Sequence, residues 1–221
     1  MAQEEIWARE EADAWFRRAG DDWLRPASID DPVLIGLNAV ELPEQGTILD
    51  LGGATGRIAA GFLRDHPTWR AHVMDLSKDA IIAGKRAFPN VHFINGSITN
   101  FDFPCAGYDV VVICAVLHFL ERRLLSSAVA NSDLALADGG FLVLHDFDPP
   151  HRRANHYSHN PGLFTYKQDY ASCYLALGIY HLEYRRSWVK GSAANPSDPY
   201  DRRWMTAVLR KDLQGGYVRT V

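Results

Sequence analysis

The stretch Ile48-Leu49-Asp50-Leu51-Gly52-Gly53-Ala54-Thr55-Gly56-Arg57 ends an apolar run with an acid and follows it with a glycine-rich turn. Glycines let a strand-to-helix turn curl tightly, and they let a ligand approach the backbone with no Cβ in the way. Many nucleotide binders share such a turn, so Asp50 is the discriminating residue. A carboxylate inside the turn would repel the pyrophosphate of a dinucleotide. It suits a ligand that brings cationic groups, such as an amino-acid ammonium and a sulfonium. The alternative is an Asx cap, with Asp50 bonded to backbone N–H groups of its own loop. Asp75 ends the next apolar run about 20 residues on, where a carboxylate can accept both hydroxyls of a ribose. Asp75 also suits the N-terminus of the helix that Ser77 opens, and the two roles are compatible.

Further candidates follow. His118 lies just past the fourth apolar run. An imidazole titrates near neutrality and can take a proton from an acceptor hydroxyl or amine; the alternative is a structural histidine. His145 and Asp146 end the fifth run, where they line a pocket or satisfy each other. The segment His151-Arg152-Arg153-Ala154-Asn155-His156-Tyr157-Ser158-His159 reads as a polar loop able to bind an anionic or aromatic acceptor. His156 and Tyr157 are its competing bases. His151, His156 and His159 have no fourth ligand at familiar zinc spacing, so no metal is expected.

These residues need elements to position them. Met1 to Arg18 reads as an amphipathic helix, with Trp15 to Arg18 as a candidate lid, and Asp31 to Leu42 as a second helix capped by Asp30 or Asp31. From residue 47 short apolar runs alternate with helical segments. The strands are 47–51, 71–76, 91–94, 110–114 and 141–145, and the helices 57–66, 78–88 and 121–136. Apolar strands separated by helices imply a parallel sheet covered on both faces, wound right-handedly. A loop is expected over 146–160 and a helix over 165–177, which would carry Tyr166, Lys167 and Tyr170 toward the pocket. Two β-like runs, 180–189 and 203–211, should form an antiparallel hairpin whose last strand lies beside the fifth, with Trp188, Trp204, Ala207 and Leu209 available for burial.

With these motifs in order, the chain resembles the class I S-adenosylmethionine-dependent methyltransferases of small-molecule type. Their first motif, an acid followed by Gly-x-Gly-x-Gly, is matched by Asp50, Gly52 and Gly56, with Ala54 replacing the middle glycine. Asp75-Leu76-Ser77 is similar to the ribose-binding acid and the residues after it. Val91 to Ile98 resembles the third motif, but Ser97 stands where an acidic residue usually contacts the adenine amine. Tyr108 to Leu120 resembles the fourth strand and its tail, and Ala137 to Val143 the turn into the fifth. Asp146-Phe147-Asp148-Pro149-Pro150 looks like the motif of amino-group methylases but follows the wrong strand.

The resemblance implies an α/β fold: a doubly wound, mostly parallel seven-stranded sheet, helices on both faces and a C-terminal antiparallel hairpin. Residues 1–45 would be a helical cap and 46–221 the Rossmann-like domain, together a single domain. The implied cofactor is S-adenosylmethionine, bound by Asp50, Gly52, Gly53, Ala54, Gly56, Asp75, Leu76, Ser97, Ile98 and Cys114, with His118, His156 or Tyr157 as base. The reaction is methyl transfer to an O or N atom of a small molecule. The rivals are an NAD-type oxidoreductase, a non-catalytic binding module, and an acceptor on a protein or nucleic acid.

Composition narrows the setting. The 221 residues carry a formal charge of -4, which argues against a dedicated nucleic-acid surface. Three cysteines, Cys105, Cys114 and Cys173, read as reduced thiols of a cytoplasmic protein. No apolar run is long enough to span a bilayer. A homodimer is left open.

Overall fold

The computed structural model describes residues 2–100, 107–189, 192–193 and 203–215; Cys105 and the side chain of Trp188 lie outside the described residues. Ten strands are described: β1 (Thr47–Leu51), β2 (Arg70–Asp75), β3 (Val91–Asn95), β4 (Tyr108–Cys114), β5 (Leu136–Phe147), β6 (Arg153–Tyr157), β7 (Asn160–Lys167), β8 (Tyr180–Val189), β9 (Ser192–Ala193) and β10 (Arg203–Lys211). The helices are α1 (Gln3–Ile6), which runs through a π-helical turn (Trp7–Glu11) into α2 (Ala12–Ala19), then α3 (Pro32–Leu37), α4 (Arg57–Asp65), α5 (Lys78–Ala87), α6 (Leu125–Ala135) and α7 (Ala171–Leu175).

The main sheet has the order β3-β2-β1-β4-β5-β10-β8-β9. The first five of these strands are parallel, and β10 and β8 close the sheet antiparallel, with β10 beside β5. The expected seven strands are thus present, extended by the two-residue β9. Chain order reverses between β1 and β4. Neighbouring strands there send their connections to opposite faces, which opens a crevice at their C-terminal ends.

Both faces are buried, and strand alternation sorts the side chains between them. Ile48, Val73, Val110, Val112, Val143 and Val208 pack on one face against α3 and α4. Leu49, Leu51, Val111, Ile113, Leu142, Leu144, Ala207 and Leu209 point the other way, toward α6 and α7. Each fully buried Leu or Val contributes about 1.5–3 kcal/mol. Trp204 is only half-buried, stacked on His145.

Local signals explain most element ends. Asp31 caps α3 through Val33 N at 3.0 Å, and Ser77 caps α5 through Ala80 N at 3.0 Å. The second helix stops at Leu37, short of the expected Leu42.

Two expectations fail after β5. Residues 153–167, read as a loop running into a helix, form an antiparallel β6–β7 ribbon separate from the main sheet. Only Ala171–Leu175 is helical, so Tyr166 and Lys167 lie on a strand and Tyr170 is buried at the start of α7. The reason is visible in burial: Leu163, Thr165 and Lys167 alternate inward along β7, and two polar members hide the period-2 pattern.

The glycine turn is held against α5 at Gly84. A Cβ there would meet the Thr55 carbonyl oxygen at 2.5 Å and the Phe93 ring at 2.7 Å. Alanine in a helix ordinarily gains up to about 1 kcal/mol over glycine, but overpacking against backbone costs about 1–3 kcal/mol. Gly84→Ala should therefore lower the urea midpoint; a raised midpoint would contradict this packing.

Candidate functional site

The crevice at the C-terminal ends of β1 and β4 is a cavity of about 1090 Å³ including its open mouth. Its floor is the glycine turn. Gly52 and Gly56 take φ of 76° and 79°, which glycine adopts at no steric cost. Ala54 takes φ 49°, a left-handed conformation costing an L-residue about 1–2 kcal/mol. Its N–H donates to Asp75 Oδ2 at 2.8 Å, a charge-assisted bond that offsets the strain.

Asp50 lies beneath this turn. Its carboxylate is buried, and among the described residues neither Oδ1 nor Oδ2 has a hydrogen-bond partner. The Asx-cap alternative therefore fails. Burial, with Asp75 and Asp31 adding to it and Arg57 opposing, pushes the Asp50 carboxyl up to about 7. Asp75 is pushed up to about 6 by burial, held down in part by the backbone N–H groups of Ser77 and Ala54. Ser77 N donates to Asp75 Oδ1 at 2.7 Å, so this acid does cap the turn into α5. Burial also pushes the Cys114 thiol up.

Asp50, Gly52, Gly53, Ala54, Asp75, Leu76, Ser97, Ile98 and Cys114 all line the cavity. Gly56 does not; it shapes the turn and N-caps α4.

The three candidate bases do not line it. His118 is 3% exposed, its ring enclosed by Phe119, Phe147 and Trp204. Its partner is Asp146, whose Oδ1 lies 2.9 Å from His118 Nδ1, because β4 and β5 are parallel neighbours that end together. His145 is not paired with Asp146; its Nδ1 lies 2.8 Å from Thr206 Oγ1. His156 is exposed on β6, packed on Phe164. Tyr157 is buried, its hydroxyl accepting from Arg18 at 3.1 Å. Asp148 of the Asp-Pro-Pro segment is bound by Arg185, Arg203 and Ser187. Among the described residues no three His, Cys, Asp or Glu side chains cluster as metal ligands.

Sequence reasoning missed most of the cavity roof. Trp7, Trp23, Phe119, Leu120 and Glu121 line it, together with Glu4, Trp15 and Arg57. The N-terminal helix lies across the mouth and is fastened at several points. Gln3 Nε2 donates to the carbonyls of Phe119 and Phe164, and Phe164 N donates to Gln3 Oε1. Asp13 accepts from Ser77 Oγ and Asp79 N, and Arg17 pairs with Asp79. The π turn carries Trp7 to within 4.4 Å of the Phe119 ring; such inserted turns are frequent at functional sites. Trp15 belongs to the expected lid; Trp7, Trp23 and Phe119 were not expected at the cavity, because the contacts that place them there are made between segments distant in sequence.

The comparisons with known proteins agree with this geometry. Residues 48–140 match the family model described as a methyltransferase domain. Over 113 residues the chain is 29% identical to the tetracenomycin polyketide synthesis 8-O-methyl transferase TcmO of Streptomyces glaucescens. That match covers 49% of this chain, and the chain spans only 33% of the relative's length. The fold is similar to that of the Burkholderia thailandensis 1,6-didemethyltoxoflavin-N1-methyltransferase, solved with that compound and S-adenosylhomocysteine. The TM-score is 0.71 at 17% identity, over 96% of this chain and 91% of that one. It is also similar to a SAM-dependent methyltransferase of Methanosarcina mazei, with TM-score 0.64 at 14% identity over 81% and 98% of the chains. The chain has the class I methyltransferase fold, a mostly parallel seven-stranded sheet closed by an antiparallel strand pair. No helix among the described residues is long and apolar enough to cross a membrane.

The raised carboxyls carry a pH consequence. Between about pH 4 and about pH 7 the folded chain holds a proton on Asp50 that the unfolded chain has lost, so stability falls as pH rises through that window. The ligand-free protein should melt at a lower temperature near pH 8 than near pH 5, and Asp50→Asn should flatten the fall. Equal slopes in both proteins would contradict the assignment.

Proposed function

We propose that the protein is an S-adenosylmethionine-dependent methyltransferase acting on an O or N atom of a small molecule. The observation that carries this reading is the Asp50 carboxylate, buried without a partner beside Asp75 under a glycine turn that lines the cavity. A dinucleotide's pyrophosphate would find repulsion there. An amino-acid ammonium would supply the missing partner and favour the ionised form of Asp50.

In this reading Asp50 binds the ammonium, and the free lone pairs of Asp75 accept the ribose hydroxyls. The backbone at Gly52, Gly53 and Ala54 accommodates the chain between them. Leu76, Ser97 and Ile98 flank the base, and Cys114 packs at the end of β4. When bound, S-adenosylmethionine supplies a methyl carbon already activated by sulfonium charge, so the protein's task is alignment and exclusion of water. Trp7, Phe119 and Leu120 form an apolar wall suited to that task, with Glu121 at its edge. We place the small-molecule acceptor against this wall. His118, His156 and Tyr157 all stand off the cavity, so alignment rather than proton removal fits the geometry; the His118–Asp146 pair then braces Phe119 from behind. Residues 1–45 act as the cap over the site.

Calorimetry with S-adenosylmethionine and with NAD tests the reading. The protein should bind the first and not the second, and Asp75→Ala should weaken that binding by about 1–3 kcal/mol, the usual loss for hydrogen bonds to a charged group. Binding of NAD alone would sink it.

A further inference from the structure

The end of the cavity lined by the loop after β3 holds a carboxylate that comes from elsewhere in the chain. Glu4, on α1, lines the cavity with Leu76, Gly96, Ser97 and Ile98. Its Oε1 accepts from Ser97 Oγ at 3.0 Å and from the hydroxyl of Thr99. Ser97 Oγ and Thr99 Oγ1 also lie 2.8 Å apart, so the two hydroxyls and this one oxygen form a single hydrogen-bonded cluster. Oε2 is left without a protein partner among the described residues.

We propose that Glu4 reads the cofactor's base: Oε2 accepts a hydrogen bond from the exocyclic amine of adenine, while Oε1 latches the N-terminal helix to the loop after β3. The inference rests on the cofactor reading above. Asp50 and Asp75 mark the ammonium and ribose ends, so the base extends past Leu76 toward Ser97 and Ile98. At that end the Ser97 hydroxyl is already engaged by Glu4 Oε1 and Thr99 Oγ1. Of the lining residues there, Glu4 alone carries a charge. An amine is a donor, and a carboxylate oxygen is the strongest acceptor a side chain supplies.

This arrangement couples binding to closure. The carboxylate belongs to the same helical segment that is fastened through Gln3, Asp13 and Arg17, so a ligand bonded to Glu4 holds the cap in place. A base lacking the amine would bind the same crevice without that hold.

The test compares S-adenosylhomocysteine with its counterpart in which an oxo group replaces the exocyclic amine, by calorimetry on the wild-type protein and on Glu4→Gln. Glutamine is isosteric and its carbonyl still accepts from Ser97 and Thr99, so the latch survives. The wild type should prefer the amine-bearing ligand by about tenfold or more, as expected for a bond to a charged acceptor. In Glu4→Gln that preference should collapse or invert, because the amide NH₂ donates to the oxo group. An unchanged preference in Glu4→Gln overturns the role of Glu4 and leaves the methyltransferase reading standing. Failure of the wild type to bind either ligand overturns both.

Discussion

Two carboxylates a turn apart, Asp50 buried and Asp75 half-buried, are the constraint around which this molecule is arranged. Burying a carboxylate is costly unless it is paired or hydrogen-bonded. Asp75 recovers part of the cost through the N–H groups of Ala54 and Ser77. Asp50 has no hydrogen-bond partner among the described residues, and only the charge of Arg57 offsets part of its cost. The protein tolerates this because β1 is central, flanked by β2 and β4 and covered on both faces, so its end cannot relax. The left-handed Ala54 and the close approach of Gly84 to Thr55 are further costs paid at the same place. Local rules of stability are broken together where a ligand would complete the site, as expected of functional positions.

A second layer follows from the first. A crevice floored by unpaired acid needs a roof that excludes water and leaves room for a ligand. The chain supplies it from its first twenty residues, bent by a π turn and fastened to the loops after β2, β3 and β4. The fastening combines polar contacts through Gln3, Glu4, Asp13 and Arg17 with the packing of Trp7 on Phe119 and Trp15 on Trp23, whereas the sheet beneath is fastened by apolar burial. Of these polar contacts only the Arg17–Asp79 pair is exposed, and exposed pairs are individually weak.

The sheet was legible because its strands are short, apolar and evenly spaced, and the glycine turn because glycine and an acid together exclude most ligands. Asp75 followed from spacing. The β6–β7 ribbon was not legible, since Thr165 and Lys167 occupy inward positions and make an alternating strand look polar. The partner of His118 was also hidden. Asp146 stands 28 residues away, and only the parallel register of β4 and β5 brings the two together. Glu4 was the least visible, because its partners at Ser97 and Thr99 depend on how the N-terminal helix folds back over the sheet. Elements written in local pattern could be read; contacts made by tertiary return could not.

The central claim is that Asp50 waits for a cationic group of an amino-acid-bearing cofactor. A crystal structure of the protein with S-adenosylhomocysteine tests it most directly. The account predicts the ligand's ammonium within hydrogen-bonding distance of the Asp50 carboxylate and its ribose hydroxyls on Asp75. A ligand bound with its ammonium elsewhere, and Asp50 still unpaired beneath the turn, would contradict it.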